Sequence, residues 1–430
     1  MRTYLAAGLV ACLALGACSA ENELVAAATA TTNTVIGEID LGSEAVGRVS
    51  TTLSDDGPGL DPQHILDQLA LIDDGVRTTT TVPASTTTES DQAGQPPATN
   101  GSGMRPATTV AANPGQPVGY IGIIGNLGAD EQVVAPVASP PVAGPGVYPL
   151  TGQAGAVPNR AAVVVKVDNG SAARPQTGLN AADIVVEEEV EGGLTRFAAI
   201  FHSQSSIVGP VRSGRTTDIG VLLGLRSPVL LYSGANDTTD ALLLARSQIQ
   251  NRSAARSSGY YRNRSRRAPS NLYTDTAPHW ASAGGSTPPA WFTYRSTPTA
   301  TQGTPHSSFG VAFRGNSVKW EWDGGAWLRS QGGRAHTVAS GERVSAANVV
   351  VIETERVATG MTDSSGATVP EFPFVGTGKA TVFTGGHKVD GVWTKPTLAS
   401  VATLTTSGGD VITLAPGRTW LELIEGGLLR

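Results

Sequence analysis

A long stretch of this chain has a composition that cannot form a packed core. From residue 24 to about residue 146 it is rich in Thr, Ala, Pro and Gly and poor in aromatic residues, with four consecutive threonines at 78–81. Such a segment buries too little apolar surface to offset the conformational entropy lost on ordering. We therefore predict a disordered tether over residues 18–147. About 120 flexible residues reach roughly 60 Å. A short amphipathic helix near residues 61–72 is expected within it, either transient or used for docking.

The first residues resemble a lipoprotein leader. An apolar run from Leu5 to Leu15 follows a positive start and is too short to span a bilayer. The sequence Leu15-Gly16-Ala17-Cys18 that closes it resembles the bacterial lipobox. This implies that residues 1–17 are removed and that Cys18 carries lipid; the alternative is an ordinary secretory signal. More than one acyl chain gives stable anchoring. We expect a lipid-anchored protein on the extracytoplasmic face of the cell membrane.

Cysteine content and charge exclude several classes of function. The 2 cysteines are Cys12, in the predicted leader, and Cys18. The folded region therefore has no thiol for a disulfide, a metal site or a nucleophile. Histidines are dispersed without metal-ligand spacing, so no metal or cofactor is predicted. The net charge of −6 and the exported address argue against nucleic acid. The expected partners are the membrane, through the anchor, and a cell-wall polymer or an envelope protein.

The remaining chain predicts an α+β fold in two domains. Residues 148–305 should form a mixed sheet with helices, since the apolar runs Ala161–Val167 and Pro228–Gly234 are typical of buried strands. Residues 306–430 should be mainly antiparallel β, because short strand patterns alternate with Gly-rich turns. The predicted strands there are 317–322, 326–330, 348–355, 379–384, 387–393, 410–414 and 419–424. Five tryptophans in this half could stack on sugars or fill the core.

Several long motifs resemble one family. In the first half they are Ala173–Val185, Glu191–Phe197 and Gly209–Arg215, and in the second half Gly378–Phe383, Gly391–Pro396 and Leu414–Trp420. Together they resemble the YerB family of bacterial lipoproteins, which pairs two domains of unknown function. The resemblance implies an address and an architecture but no reaction. Ser270 stands where the family's His is expected, and Thr337 follows His336 where an Asp is expected.

A charged hairpin offers one candidate site. Gly192-Gly193 predicts a tight two-residue turn that pairs Glu189 with Arg196 and Asp183 with His202. One face should then be apolar, with Ile184, Val186, Val190, Phe197, Ala199 and Phe201. The other face gathers Asp183, Glu187, Glu189, Arg196 and His202. Glu187 and Glu189 would lie about 7 Å apart along the strand. They are either an acid–base pair for glycoside cleavage or members of cross-strand ion pairs.

A second candidate site lies at a predicted helix start. Ser213 is a plausible N-cap for a helix running to Leu225, which places Arg212 and Arg215 at its positive end. An anion would resolve this conflict, either a bound ligand or an internal carboxylate such as Asp218 or a hairpin glutamate. Four further residues extend the predicted ligand-binding set: Arg174, Arg196, Asn236 and Asp237. Asp237 is the predicted N-cap of a helix over residues 238–249.

A third candidate is a cationic stretch without nearby acids. Seven arginines occur between residues 246 and 267, together with Tyr260 and Tyr261. They predict either a surface for anionic wall polymers and lipid headgroups or a solvated loop paired with distant acids. Two functions follow from the three sites. One is non-enzymatic binding of an anionic or saccharide envelope ligand or a protein partner. The alternative is a cell-wall glycan hydrolase using Glu187, Glu189 or Asp183.

Overall fold

The computed structural model describes residues 138–363 and 366–430, and three strands within residues 33–80. The predicted leader, Cys18, the helix expected near residues 61–72 and most of the predicted tether lie outside the described residues. The three early strands form an antiparallel sheet in the order β2-β1-β3. Their bounds are Asn33–Asp40 (β1), Val46–Leu53 (β2) and Arg77–Thr80 (β3).

From residue 138 onward the described chain is mostly strand with few helices. The strands of its first half are Val163–Asp168 (β4), Ile184–Glu189 (β5), Thr195–Phe201 (β6), Ile207–Val208 (β7), Val229–Tyr232 (β8), Gln250–Ser253 (β9), Tyr260–Arg262 (β10), Leu272–Asp275 (β11) and Thr304–Pro305 (β12). The strands of its second half are Ser308–Phe313 (β13), Asn316–Trp322 (β14), Trp327–Gln331 (β15), Arg334–Ala335 (β16), Ser345–Ala346 (β17), Asn348–Thr354 (β18), Val357–Thr362 (β19), Thr368–Glu371 (β20), Gly376–Thr384 (β21), His387–Lys395 (β22), Thr403–Thr405 (β23) and Thr419–Glu425 (β24). The α-helices are Thr217–Leu223 (α1), Asp237–Leu244 (α2) and Thr276–Ala281 (α3). Within the described residues, no helix is long and apolar enough to cross a membrane.

One 11-stranded mixed sheet organises this region. Its order is β12-β22-β21-β18-β24-β5-β6-β4-β8-β9, with β23 on β22. Strand β24, near the end of the chain, pairs in parallel with β5 on one side and with β18 on the other. The sheet therefore takes strands from both predicted domains. Strands β4, β5, β8, β9, β18 and β24 run in one direction, so their carboxyl ends meet at one edge, which we call the carboxyl edge.

Both faces of the central sheet are buried. Ile219 and Leu222 of α1 and Leu243 of α2 pack on one face. The other face is covered by the small sheet of β13–β17, through side chains such as Trp320 and Trp327. Strands buried on both sides read as continuous apolar runs, and this explains the sequence of β4 and β8. The structure thus bears out a mixed sheet with helices followed by mainly antiparallel strands.

The predicted hairpin register is wrong by one residue. Residues Glu191–Gly193 form a 3₁₀ turn, and the backbone N–H of Val190 donates to the carbonyl of Leu194, so the loop is longer than two residues. Arg196 consequently faces Glu188 instead of Glu189. A one-residue slip moves every side chain of one strand to the other face. The predicted apolar face is therefore wrong as well. Val185 and Glu187 lie beside Phe197 and Ala199, while Ile184 and Val186 lie beside Ala198 and Ile200.

Two predicted helix starts also shift. Helix α1 begins at Thr217 with Thr216 as its N-cap, so Ser213 does not cap it. Helix α2 begins at Asp237, and the N-cap is Asn236, whose Oδ1 accepts a hydrogen bond of 2.8 Å from the Thr239 N–H. In each case the preceding loop takes a different length from the one that the apolar periodicity predicted.

Candidate functional site

Glu187 is held inside the protein by an ion pair. Both its oxygens accept from Nη2 of Arg329, at 2.9 and 2.6 Å, and both side chains are fully buried. The Thr195 hydroxyl donates to the same carboxylate at 2.7 Å, and the Trp420 indole N–H at 3.3 Å. Glu187 and Arg329 come from the two predicted domains, so this contact joins them across 142 positions of sequence.

The ion pair continues into a buried hydrogen-bond chain. Nη1 of Arg329 lies 2.7 Å from Nδ1 of His336, and Nε2 of His336 lies 2.8 Å from Oε1 of Gln176. A guanidinium can only donate, so Nδ1 is unprotonated and Nε2 carries the hydrogen. Burial, together with the charges of Arg329 and Arg174, lowers the pKa of His336 to about 2. His336 is therefore neutral and fixed in one tautomer.

Burial also decides the charge of the neighbouring glutamate. Glu422 on β24 faces Glu187 on β5 in the parallel register. Burial, followed by the nearby charge of Glu187, raises the pKa of Glu422 well above its usual range. Its Oε1 accepts a 2.9 Å hydrogen bond from the Trp320 indole. A neutral Glu422 avoids placing two carboxylate charges side by side in the core.

The other two candidate carboxylates also have partners. Glu189 accepts from the backbone N–H of Arg314 at 3.0 Å and from Nε of Arg356 at 3.2 Å. Asp183 accepts from the backbone N–H groups of His202, at 2.5 Å, and of Ser203, at 2.9 Å. Glu187 and Glu189 are both buried. The geometry therefore does not provide the pair of carboxylates flanking a substrate that glycoside cleavage needs.

Glu188 points to the opposite face of the sheet. Its Oε1 and the Oδ1 of Asp218 each lie 2.7 Å from Nζ of Lys166, and all three side chains are buried. Burial raises the pKa of Glu188 to about 7, with Lys166 opposing the rise. Lys166 carries one positive charge and contacts two carboxyl groups. The net charge of the three side chains is therefore zero only when one of the two carboxyl groups holds a proton.

Three predicted ligand-binding arginines converge on the carboxyl edge. Arg215 lies 2.5 Å from Glu191, and Arg212 lies 3.3 Å from Asp168. Arg196 donates to the carbonyl of Ser213 at 3.1 Å and lies 4.0 Å from Glu191. Burial and the neighbouring Arg215 lower the pKa of Arg196 to about 10. Three guanidinium groups thus share the charges of two carboxylates.

The internal anions expected near this cluster are both present. Glu191 is the hairpin glutamate that pairs with Arg215. The carboxylate of Asp218 accepts the Arg215 backbone N–H at 2.7 Å. Arg215 is buried, whereas the Arg212 side chain is 29% exposed, so Arg212 is the member of the cluster that solvent can reach. Of the three remaining predicted residues, Asn236 caps α2, Asp237 is exposed and Arg174 is half-buried.

Sequence reasoning missed two residues of this edge. Asp168 ends β4 and accepts from the Ser270 hydroxyl at 3.1 Å as well as pairing with Arg212. Ser270 is the position where the family resemblance leads us to expect His. Asp168 could have been predicted from its position at the end of a buried strand, since ligand-binding sites often lie at the carboxyl ends of strands.

The arginine-rich stretch divides into paired and unpaired members. Arg256 is paired and lies 2.6 Å from Asp240, whereas Arg252 donates to the neutral Ser282 at 2.7 Å. Arg262 donates to Oδ1 of Asn271 at 2.7 Å, and Arg266 donates to the carbonyls of Ala173 and Arg174, each at 3.0 Å. These acceptors are neutral, so the cationic charges remain uncompensated. Arg264 and Arg267 are exposed.

We define the arginine surface as Arg174, Arg262, Arg264, Arg266 and Arg267. Within residues 138–363 and 366–430, none of the five forms a salt bridge. Burial, followed by the charge of Arg329, lowers the pKa of Arg174. Most of the surface belongs to the loop between β10 and β11, which Arg266 fastens to the segment that carries Arg174.

Comparison with known proteins identifies the family. The chain matches the N-terminal domain of DUF3048, a protein of unknown function, over residues 150–287, and its C-terminal domain over residues 309–421. Over 60 residues it is 57% identical to a Bacillus subtilis (strain 168) protein named "Putative lipoprotein YerB", a match that spans 14% of this chain and 18% of that protein. The crystal structure of the YerB protein from Bacillus subtilis shares its fold, with a TM-score of 0.56 at 24% identity over 66% of this chain and 98% of the other. The chain therefore belongs to the DUF3048 family and is a relative of YerB, as the sequence motifs indicated.

Proposed function

We propose that this protein is anchored by lipid at Cys18 to the extracytoplasmic face of the cell membrane. There it binds a polyanionic envelope polymer and catalyses no reaction. The observation that carries the binding proposal is the arginine surface, whose five cations lack acidic partners among the described residues. Two observations support the lipid anchor: the relative YerB is named as a putative lipoprotein, and the Leu15–Cys18 sequence resembles a lipobox.

The chemistry of the arginine surface favours phosphate or carboxylate groups. Arginine presents a planar fork of donors that matches these groups with two parallel hydrogen bonds. Arg262 and Arg266 are already positioned by Asn271 and by backbone carbonyls, so binding would cost less side-chain entropy.

The cluster at the carboxyl edge extends the same proposal. Arg196, Arg212 and Arg215 share the carboxylates of Asp168 and Glu191, and Arg212 is the member that solvent can reach. A carboxylate or phosphate beside the accessible Arg212 would add a negative charge to a cluster in which burial, followed by the charge of Arg215, lowers the pKa of Arg196. Arg174, Asn236 and Asp237 remain predicted ligand-binding residues.

The test compares two triple variants of the full-length protein. Arg262→Gln, Arg264→Gln and Arg267→Gln together remove three unpaired charges. The matched control, Lys319→Gln with Lys379→Gln and Lys388→Gln, removes three charges that sit 2.8, 3.0 and 2.9 Å from acids. Cosedimentation with isolated cell walls, before and after chemical removal of their anionic polymers, gives the affinity.

We expect the arginine variant to bind about threefold to a hundredfold more weakly, since exposed charge contacts contribute about 0.2–1 kcal/mol each and three are removed. The loss should shrink at high salt because exposed charges are screened. Equal binding by both triple variants would refute the proposal. Binding that survives removal of the wall's anionic polymers would point to a saccharide or a protein partner instead.

The hydrolase alternative has its own outcome in the same preparation. Release of soluble glycan fragments by the unmodified protein, lost on changing Glu189→Gln without loss of stability, would overturn the non-enzymatic proposal. Glu187→Gln is less informative for this purpose, because Glu187 is fully buried against Arg329.

A further inference from the structure

A polar cavity lies away from the arginine surface. Its volume is about 410 Å³, within the range of small-ligand sites. Its walls come from the turn that contains Thr151 and Gln153, from the loop after β6, and from β17 with the turn that precedes β24. Both matched domains of the family contribute to these walls.

Asp183 is the acidic residue of this cavity; burial raises its pKa, and hydrogen bonds from Ser203 and His202 and the charge of Arg160 oppose the rise. One oxygen, Oδ2, accepts two backbone N–H groups, and the other, Oδ1, accepts the hydroxyl of Ser203. Each carboxylate oxygen can accept two hydrogen bonds, so Oδ1 keeps room for one more donor. A buried carboxylate with a single open position favours a charged N–H donor, namely an ammonium group.

Carboxamide side chains line the same cavity. The Gln153 amide forms no side-chain hydrogen bond with any described residue, and Gln204 uses only its Nε2, which donates to Ala181 at 3.3 Å. Free carboxamides have the donor and acceptor that complement a peptide group. Arg418 adds a positive charge and is held by Asn180 at 2.5 Å and Ser345 at 2.8 Å. No aromatic side chain lines the cavity, so a sugar ring would lack a stacking surface.

We propose that this cavity binds a short peptide with a free amino group, with the ammonium on Asp183 and the peptide groups on Gln153 and Gln204. The site is separate from the arginine surface and does not depend on the polymer-binding proposal. A short free peptide is a class of ligand that an extracytoplasmic protein meets wherever peptide cross-links are made or cut.

The experiment is calorimetric titration of the full-length protein with trialanine, N-acetyltrialanine and N-acetylglucosamine. Gly325→Leu tests the place, because Gly325 lines the cavity and a Cβ there meets only the Asp323 carboxylate, at 3.7 Å. Gly284→Leu is the matched control, since a Cβ there has nothing within 4 Å and lies outside the cavity. Asp183→Asn tests the charge.

Trialanine should bind, and N-acetylation should weaken binding at least tenfold because it removes the ammonium. Gly325→Leu should abolish binding, while Gly284→Leu should not change it. Asp183→Asn should weaken trialanine at least tenfold and leave the acetylated peptide unchanged. If Asp183→Asn fails to fold, the comparison of Gly325→Leu with Gly284→Leu still tests whether the peptide binds in this cavity. The comparison of trialanine with N-acetyltrialanine still tests whether binding needs the ammonium group. Equal affinity for both peptides, unchanged binding in Gly325→Leu, or binding of N-acetylglucosamine but not of trialanine at millimolar concentration would overturn the proposal.

Discussion

Replacing Arg329 with Met should destabilise the protein because it leaves a charge buried without its partner. Arg329 and Glu187 are fully buried, and the guanidinium reaches both oxygens of the carboxylate. After the substitution Glu187 keeps Thr195 at 2.7 Å and two longer contacts, Asn169 at 3.4 Å and Trp420 at 3.3 Å. None of these carries a positive charge.

The expected magnitude follows from this geometry. Two charge-assisted hydrogen bonds are lost, and such bonds contribute about 1.5–3 kcal/mol each. Breaking a buried pair from one side generally costs about 3–5 kcal/mol. This is a large share of the roughly 5–15 kcal/mol by which folded proteins are stable. Adding Glu187→Gln to Arg329→Met removes the stranded charge, so the double variant should be more stable than Arg329→Met alone.

Urea unfolding followed by tryptophan fluorescence measures the effect, because Trp320 and Trp420 lie beside the pair. The control is Lys319→Met, whose pair with Glu321 is about half exposed and should contribute little to stability. A loss below about 1 kcal/mol in Arg329→Met, or a double variant no more stable than the single one, would refute the assignment of Glu187 as a structural anchor.

Three further predictions concern other parts of the chain. The pKa of His336 is lowered to about 2, so below about pH 6.5 the unfolded chain takes up a proton that the folded protein does not. The free energy of unfolding should then fall by roughly 1.4 kcal/mol per pH unit as the pH decreases. His336→Gln should flatten this slope in urea unfolding between about pH 6.5 and 4. Gly193→Ala should destabilise more than Gly192→Ala, because both glycines have positive φ but only the Gly193 Cβ would meet backbone, at 2.7 Å from Gly315; equal losses in thermal unfolding would contradict this. Cys18→Ala should release the protein from membranes or block its processing, and unchanged membrane retention with lipid labelling would exclude Cys18 as the anchor.

The sequence predicted the central strands well, for a physical reason. Runs such as 161–167 and 228–234 are apolar throughout because both faces of the sheet are covered, and they appear as β4 and β8. In the second half the predicted strand 348–355 corresponds to β18. The predicted strand 410–414 is not a strand in the structure. It forms only isolated bridges, in which Val411 pairs with Thr405 and Leu414 pairs with Tyr294.

The hairpin register could not be predicted from the Gly-Gly pair. A two-residue turn and the observed 3₁₀ turn both place glycines at positive φ, here 68° for Gly192 and 72° for Gly193. The choice between them depends on contacts outside the hairpin, such as the approach of the Gly315 N–H to the Gly193 carbonyl at 3.1 Å. That contact crosses more than a hundred residues, so no local pattern could indicate it.

The roles of the charged residues also depend on contacts between positions that are distant in the sequence. These contacts distinguish the charges that stabilise the fold from the charges that are candidates for binding. Glu187, Glu189 and Arg215 looked functional in sequence because their partners are distant in the chain or lie on the other face of a strand. Once those partners are placed, Glu187, Glu189 and Arg215 are each paired, as the cost of burying an isolated ion requires. Among the cations without acidic partners in the described residues, Arg262, Arg264, Arg266 and Arg267 lie together on β10 and the loop that follows it. Exposed charge carries little desolvation cost, so folding alone does not require a partner there. A ligand is therefore better sought at this loop than at the buried glutamates, although the glutamates form the more conspicuous pattern in the sequence.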